Sequence, residues 1–367
     1  MKSILKRAVM VFIILLGCKN GHAQSKSSSI NLPNGSTIKA SVLTQTIKKA
    51  MDSLQVPGIS IAIINNEAIV YQKALGVTQV TTKQAVNANT TFEAASLSKP
   101  LFAYFIMKMV EEGKLGLDAP IYPFLEPIFP KEAIAADALE RYKKLTPRMI
   151  LSHSTGIPNW VKGKPITIAF EPGTDFSYSG EAYQHLGAAF GRKMNIGWGA
   201  ALDSLFLEKV AQPLQMKQSF YTWNAGLEAN AAYGHRNGKT TKLDRNKNVG
   251  PGYSLRTEAH DYALFLLEMM HPKNLSVRLR DEMLKTQNPF KPDNELLADT
   301  GQTGWGLGFS QKPTPNGLMH LHTGNNGDFQ AYTMFIPGQE YGFVLFVNSN
   351  NLSDLLDVLE QHIGTHF

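Results

Sequence analysis

Ser96 and Lys99 stand three residues apart in the stretch EAASLSKPLF, at the start of an apolar segment with helical spacing. A serine hydroxyl is a poor nucleophile at neutral pH and needs a base within hydrogen-bond reach. Residues three apart on a helix share a face and adjacent ones do not, so Lys99 faces Ser96 rather than Ser98. Pro100 belongs in a first helical turn, so the helix begins near Ser96, where free N–H groups favour a developing anion. If either serine is activated, it is therefore Ser96.

The Ser-x-x-Lys spacing is weak evidence by itself, because it also fits an ordinary helix start and recurs at Ser3 and Ser36. Two further polar motifs follow in the chain. Tyr178-Ser179-Gly180 lies in the turn-rich stretch EPGTDFSYSGEAY, and His322-Thr323-Gly324 lies at the end of a strand-like segment. The three motifs in this order are what make a catalytic interpretation of Ser96 stronger than the alternative of a helix start.

Together the three motifs resemble those of the penicillin-recognising serine hydrolases, which include class C β-lactamases, DD-peptidases, D-aminopeptidases and β-lactamase-like esterases. The resemblance extends over about residues 38–348 and includes the flanking stretches VPGISIAII, LTPRMILSHSTGIP and WGLGF. It implies an α+β fold of the class C β-lactamase type. In that fold an antiparallel sheet is flanked by terminal helices and carries a helical lobe.

The resemblance also implies a role for each matching residue. Ser96 attacks the substrate carbonyl and forms an acyl-enzyme, Lys99 acts as general base or holds the proton network, and Tyr178 is the second proton shuttle. The oxyanion hole consists of the backbone N–H groups of Ser96 and Asn325. The substrate-binding set is His322, Thr323, Gly324, Asn325 and Gly180.

Two positions depart from the family pattern, and both changes weaken recognition of a β-lactam. The second motif usually ends in Asn, whereas Gly180 has no side chain to offer. The third motif of efficient class C β-lactamases begins with Lys, whereas His322 is largely neutral at pH 7 unless its surroundings shift it. His320, on the same strand face, is interpreted as structural. His153 is left outside the catalytic set, because a helix-ending turn explains it.

The surrounding pattern predicts the elements that position these motifs. Helical spacing covers 36–55, 99–117, 201–214, 258–270 and 352–362, and Thr146 with Pro147 opens another helix. A hairpin follows Val56, with its turn at Asn65-Asn66, and three strand-like pieces lie near the C-terminus. Strands at both ends and helices between them predict one antiparallel sheet beside a helical lobe.

The N-terminal segment is typical of an export signal. Residues 1–23 have basic residues before an apolar run that is too short to span a membrane. Cleavage before Gln24 and lipidation of Cys18 after the lipobox-like LLGC both remain open. Residues 24–36 are interpreted as a polar tether, and residues 37–367 as the hydrolase domain. We therefore expect a periplasmic or cell-envelope location, with Cys18 as an alternative lipid anchor.

Composition excludes several other classes of function. The formal charge of +6 falls to +2 after cleavage before Gln24, because 32 basic residues then face 30 acidic ones. No clustered basic face is evident, so a nucleic-acid partner is not expected. Cys18 is the single cysteine, so the mature domain has no disulfide and no Cys-based zinc site. The predicted chemistry needs no metal or organic cofactor.

These observations predict an exported serine hydrolase that cleaves an ester or amide through an acyl-Ser96 intermediate, of the esterase or D-amino-acid peptidase type. Its partner is then a small-molecule or peptide-like substrate with an ester, amide or β-lactam carbonyl. The alternatives are a class C-type β-lactamase, a DD-carboxypeptidase or penicillin-binding protein, and a binding protein that has lost turnover.

Overall fold

The computed structural model describes residues 29–127 and 130–364. Its strands are β1 (Ser29–Asn31), β2 (Thr37–Lys39), β3 (Gly58–Asn65), β4 (Ala68–Gly76), β5 (Phe92–Glu93), β6 (His235–Arg236), β7 (Lys239–Thr240), β8 (Arg256–Thr257), β9 (Asn288–Pro289), β10 (Gly304–Trp305), β11 (Ser310–Thr314), β12 (Gly317–Asn325), β13 (Gln330–Ile336) and β14 (Tyr341–Val347). Its α-helices are α1 (Ala40–Leu54), α2 (Ser98–Glu111), α3 (Tyr122–Leu125), α4 (Leu139–Tyr142), α5 (Pro147–Leu151), α6 (Gly180–Lys193), α7 (Ala200–Phe206), α8 (Ala225–Asn230), α9 (Ala259–Met270), α10 (Val277–Leu284), α11 (Glu295–Thr300) and α12 (Leu352–Ile363).

An eight-stranded antiparallel sheet forms the centre of the described chain, in the order β4-β3-β14-β13-β12-β11-β10-β9. Within it β3, from the N-terminal part, pairs with β14, from the C-terminal part, and Ile59 lies opposite Val347. Every residue of both strands is buried, because both faces of the sheet are covered. The predicted pairing of the terminal segments is therefore confirmed.

Two apolar layers cover the sheet. On one face, α1 and α12 pack together through residues that include Leu43, Ile47, Leu355 and Leu359. On the other face, α2 and α9 belong to a larger core that continues into the helical lobe. The predicted α+β architecture, an antiparallel sheet with terminal helices and a helical lobe, is thus observed. The three sequence motifs meet on the side of the sheet that carries the lobe.

The N-terminal boundary differs from the sequence prediction. Residues 29–36 are not a free tether, because β1 pairs with β2 and buries Ile30 completely. Since Thr37–Lys39 belongs to that small sheet, α1 begins at Ala40 and not at Ser36. The apolar residues Ile30 and Leu32 outweighed the polar composition around them. The predicted signal, its two cleavage sites and Cys18 lie outside the described residues.

Other predicted elements hold with shifted ends. The hairpin turn is at Asn66-Glu67, where both residues have positive φ, and not at Asn65-Asn66. The helix predicted over 201–214 is a regular α-helix only as far as Phe206, the end of α7. It then continues as a π-helical turn at Leu207–Ala211. The Thr146 hydroxyl accepts from the Met149 N–H, which confirms the predicted cap. Among the described residues, no helix has the length and apolarity to cross a membrane.

Candidate active site

The backbone before Ser96 makes a tight turn between β5 and α2. Ala95 has a φ of 48°, an unusual conformation for a residue with a side chain, and residues 95–97 form a 3-10 turn. The hydroxyl of Tyr262 donates to the Leu97 carbonyl and that of Tyr221 to the Ser98 carbonyl. The helical lobe thus holds the turn that presents Ser96.

Ser98 has a structural role. Its buried hydroxyl donates to the Ala95 carbonyl and accepts from the Leu255 N–H, which fixes the 3-10 turn to the segment before β8. With both partners satisfied inside the protein, this hydroxyl is unsuited to attack a substrate. The helical-face argument for Ser96 over Ser98 is consistent with this geometry.

Lys99 is buried beside Ser96, with its Nζ 3.0 Å from the Ser96 Oγ. The same Nζ donates to the carbonyl oxygen of Gly252 at 2.8 Å. Burial disfavours the ammonium form and lowers the pKa of Lys99 to about 7. A neutral amine at this distance is a base for the Ser96 proton, so the pair is suited to nucleophile activation near neutral pH. Gly252 has no sequence signal, because only its main chain takes part.

Tyr178 reaches the same hydroxyl from the other motif. Its phenol hydrogen-bonds with Ser96, and its ring centroid lies 4.7 Å from the Lys99 Nζ. Burial raises the pKa of Tyr178 well above its usual value, so the resting phenol keeps its proton. Ser96, Lys99 and Tyr178 therefore meet as the sequence predicts, in a geometry that allows protons to pass between them.

His153 holds Tyr178 in place from both sides. Its backbone carbonyl accepts from the Ser177 N–H, and its ring Nδ1 accepts from the Ser179 N–H. The ring also packs 4.3 Å from that of Tyr178 between centroids. Burial and the nearby Lys99 keep the pKa of His153 well below its usual range, so the ring stays neutral. His153 is a positioning residue, and the helix-ending turn alone does not explain it.

Strand β12 approaches the Ser96 turn so closely that only glycine fits at position 324. A Cβ built on Gly324 would lie 2.5 Å from the Ala94 carbonyl oxygen and 3.2 Å from the Ser96 nitrogen. Asn325 follows directly on the same strand, and its side-chain oxygen accepts from the Gly327 N–H. This proximity suits an oxyanion hole built from the Ser96 and Asn325 amides, which stays a prediction.

His322 offers a neutral acceptor to the site. Its Nδ1 lies 2.7 Å from the Thr323 carbonyl oxygen; a carbonyl can only accept, so Nδ1 carries the proton. The Nε2 atom is then an acceptor, and it is buried without a partner among the described residues. Burial, together with the charge of Lys99, lowers the pKa of His322 to about 3. At neutral pH it cannot supply the positive charge that a lysine supplies.

A cavity of about 510 Å³ opens beside Tyr178, His322 and Thr323. Trp305, which the sequence analysis missed, forms its aromatic wall against His322 with ring centroids 5.4 Å apart. Glu295 from α11 is the charged residue of the lining, which contains no lysine or arginine among the described residues. The cavity therefore suits a group without negative charge.

Gly180 lies at the first position of α6, where its N–H donates to the Asn159 Oδ1 at 2.8 Å. Lys99 bonds the Gly252 carbonyl, so the lysine has an acceptor without a side chain at position 180. His320 is buried, with its ring stacked on Phe335 at 5.2 Å between centroids. That setting agrees with a structural role for His320.

The described residues contain one group of three side chains that could converge on a metal ion, Glu258, His260 and Asp261. The Glu258 carboxylate already caps α9 by accepting from the N–H groups of the other two residues. Asp261 accepts from the Gln218 N–H and the Ser219 hydroxyl. These oxygens hold protein structure together, so the group is not a candidate metal centre.

Comparison with known proteins agrees with the fold and with the family resemblance. A family model described as Beta-lactamase matches residues 43–363, and the chain therefore belongs to that family of serine hydrolases. It is 23% identical to a β-lactamase from Pseudomonas fluorescens, over 84% of this chain and 93% of that protein. It is also 23% identical to Protein flp of Staphylococcus aureus (strain MRSA252), over 84% of this chain but only 62% of that protein.

The solved structure of the D-alanine carboxypeptidase AmpC from Burkholderia cenocepacia has the same fold, with a TM-score of 0.70 and 21% identity. The match covers 88% of this chain and 100% of that one. At this identity the likeness establishes the fold and leaves the substrate to the site itself.

Proposed function

We propose that this protein is an exported hydrolase of the esterase or D-amino-acid peptidase type, which cleaves an ester or amide through an acyl-Ser96 intermediate. The observation that carries the proposal is the convergence of the Lys99 amine and the Tyr178 phenol on the Ser96 hydroxyl. A lysine or a tyrosine in water is protonated at pH 7 and cannot take a proton from serine. Burial lowers the pKa of Lys99 to about 7, so its neutral amine can accept the Ser96 proton.

The reaction follows from this arrangement. The Ser96 Oγ bonds to the substrate carbonyl carbon while its proton passes to Lys99, and the carbonyl oxygen becomes an oxyanion facing the amides of Ser96 and Asn325. The bond to the leaving group then breaks, and Tyr178 relays the proton to the departing alkoxide or amine. Water attacks the acyl-serine, which releases the acid and restores the Ser96 hydroxyl.

The cavity beside Tyr178 argues for a leaving group without a carboxylate. A substrate carboxylate there would face the Glu295 carboxylate and the lone pair of the His322 Nε2, with no cation in the lining to offset them. An alcohol or amine can donate to that Nε2. This preference supports an ester or simple amide over a β-lactam, whose carboxylate would lack a partner.

A β-lactamase or a DD-carboxypeptidase is the second candidate, because the acyl-transfer groups would serve it equally well. The test is an intact-mass time course of wild type and Ser96→Ala with a fluorophosphonate, a penicillin, and a panel of esters and D-amino-acid amides. We expect a Ser96-dependent phosphonate adduct, hydrolysis of esters or amides, and no lasting penicillin adduct.

Other outcomes would assign the protein differently. A penicillin adduct that persists would indicate a penicillin-binding DD-peptidase, and rapid turnover of the drug would indicate a β-lactamase. Failure of the phosphonate to label Ser96 would point to a binding protein without turnover and would refute the hydrolase proposal.

Export is part of this proposal and is supported by residues 1–23 of the sequence. Mass spectrometry of protein from the cell envelope would distinguish an N-terminus at Gln24 from a lipid-modified Cys18. A full-length chain in the cytoplasm would contradict export.

A further inference from the structure

The indole of Trp160 packs directly against Gly180, at the start of α6. A Cβ built on Gly180 would lie 2.5 Å from the Cζ2 and 2.6 Å from the Cη2 of the Trp160 indole. Gly180 is an ordinary helical residue without a positive φ, and alanine is favoured over glycine in a helix. The backbone therefore does not require glycine here. Glycine is required because the Trp160 indole occupies the space that a side chain at position 180 would need.

Hydrogen bonds on both sides of Trp160 hold its loop against α6. The Asn159 side chain accepts from the Gly180 N–H at 2.8 Å, and its carbonyl accepts from the Glu181 N–H at 2.9 Å. After the tryptophan, the Val161 N–H donates to the Glu181 carboxylate at 3.3 Å. Trp160 is nevertheless 40% exposed, so a fixed aromatic surface faces solvent.

The indole also borders the acceptor of the catalytic lysine. A Cβ built on Gly252, whose carbonyl accepts from Lys99, would lie 3.4 Å from the Trp160 Cη2. The ring of Tyr253 meets the indole edge-on, with centroids 6.0 Å apart. Trp160 and Tyr253 thus form an aromatic surface next to the catalytic groups, and Trp160 is not part of the cavity beside His322.

We infer that Trp160 is a specificity-determining residue that contacts an apolar or aromatic acyl group, and that Gly180 makes room for it. Tyr178 lines the cavity beside His322 and returns the proton to the leaving group, which assigns that cavity to the leaving group. We place the acyl part of the substrate against Trp160, which borders Gly180 and Gly252 and lies outside that cavity. The assignment of sides rests on the proposed hydrolase function.

The test compares two esters with one leaving group, 4-nitrophenyl phenylacetate and 4-nitrophenyl acetate. Trp160→Ala should lower kcat/KM for the phenylacetyl ester about tenfold relative to the acetyl ester, because it removes one aromatic contact. Gly180→Ala should reduce the same ratio by displacing the indole, and should have no further effect in the Trp160→Ala background. Val42→Ala, which shortens an apolar side chain that is 46% exposed on α1, on the face of the sheet opposite the site, is the control and should leave the ratio unchanged.

Binding of phenylacetamide to the Ser96→Ala protein, measured by calorimetry with and without Trp160→Ala, gives a readout independent of turnover. If Trp160→Ala lowers kcat/KM equally for both esters, or leaves phenylacetamide binding unchanged, the inference is overturned even when the phosphonate labels Ser96. If Ser96 stays unlabelled while phenylacetamide binding depends on Trp160, the hydrolase proposal fails and the aromatic contact stands.

Discussion

Lys99 reconciles two requirements that conflict in water, since it must be close enough to take the Ser96 proton and must be uncharged when it does so. The fold meets the first with a 3.0 Å contact and the second by complete burial. Its second partner, the Gly252 carbonyl, can stabilise the ammonium once the proton has arrived. Tyr178, kept protonated by its own burial, completes a path from the nucleophile to the leaving group.

We expect Ser96 acylation to depend on the ionisation of Lys99. Burial lowers the pKa of Lys99 to about 7, and only the deprotonated amine can accept the Ser96 proton. The labelling rate should therefore rise with pH as the ammonium loses its proton, and level off above about pH 8. His322, with a pKa of about 3, does not titrate in this range. The measurement is the second-order rate of labelling by a neutral phosphonate from pH 5.5 to 9.

Lys99→Arg is the control for this pH profile, because a guanidinium keeps its proton throughout the range and should leave Ser96 unlabelled. A profile that stays flat from pH 5.5 to 9, or labelling of the arginine variant at the wild-type rate, would show that Lys99 is not the base.

At the scale of elements, the site is a junction between the 3-10 turn before α2 and the middle of the sheet. Strand β12 brings Asn325 to the turn because Gly324 has no side chain to keep the two apart. The N-terminus of α6 adds Tyr178, whose backbone neighbours are bonded to His153 at the end of α5. Three elements distant in sequence therefore share one small volume.

Gly324→Ala tests this junction. The added methyl group would meet the Ala94 carbonyl, so β12 and the turn should move apart and weaken the oxyanion hole. We expect kcat/KM to fall about a hundredfold or more, a loss typical of removing one oxyanion donor. Steady-state kinetics on a reactive ester measures the loss.

Gly338→Ala is the matched control, since Gly338 lies in the turn between β13 and β14 with no atom within 4 Å of a built Cβ. Its activity should equal that of the wild type. Full activity in Gly324→Ala would mean that the close approach of β12 is not needed for catalysis.

The sequence predicts those parts of the site that follow from local patterns of helical and strand spacing. Helical spacing pairs Ser96 with Lys99, and strand alternation puts His320 and His322 on one face. It does not reach Gly252, which contributes a main-chain oxygen, or the contact of Trp160 with Gly180, because both depend on tertiary packing. The polar segment around Ile30 was misread for the same reason, since two buried side chains outweigh a polar composition.

At the scale of the whole molecule, the two faces of the sheet have different tasks. The face covered by α2, α9 and the helical lobe carries the site, whereas the face covered by α1 and α12 does not. Packing on the covered face can therefore change stability while the geometry around Ser96 stays as it is.

Leu355→Ala tests this separation. The side chain is fully buried between α12 and the sheet, so its truncation should lower the free energy of unfolding by about 2–5 kcal/mol. Well below the unfolding midpoint, kcat/KM should remain that of the wild type. Chemical denaturation and ester kinetics on the same preparation measure both quantities.

Leu318→Ala makes the same substitution at a side chain that is 44% exposed on β12, and it should change stability by less than about 0.5 kcal/mol. Equal destabilisation of the two variants, or a loss of activity in Leu355→Ala at low temperature, would contradict the separation of the faces.

The pairing of β3 with β14 sets the order in which a newly synthesised chain can fold. Because Ile59 pairs with Val347, the chain as far as β14 must be synthesised before the β3–β14 pair can form. A chain that stops before β12 already contains Ser96, Lys99 and Tyr178 but lacks the strand that completes the site. Such a fragment also leaves the apolar edge of β3 that pairs with β14 without a partner strand, so we expect truncated copies to aggregate.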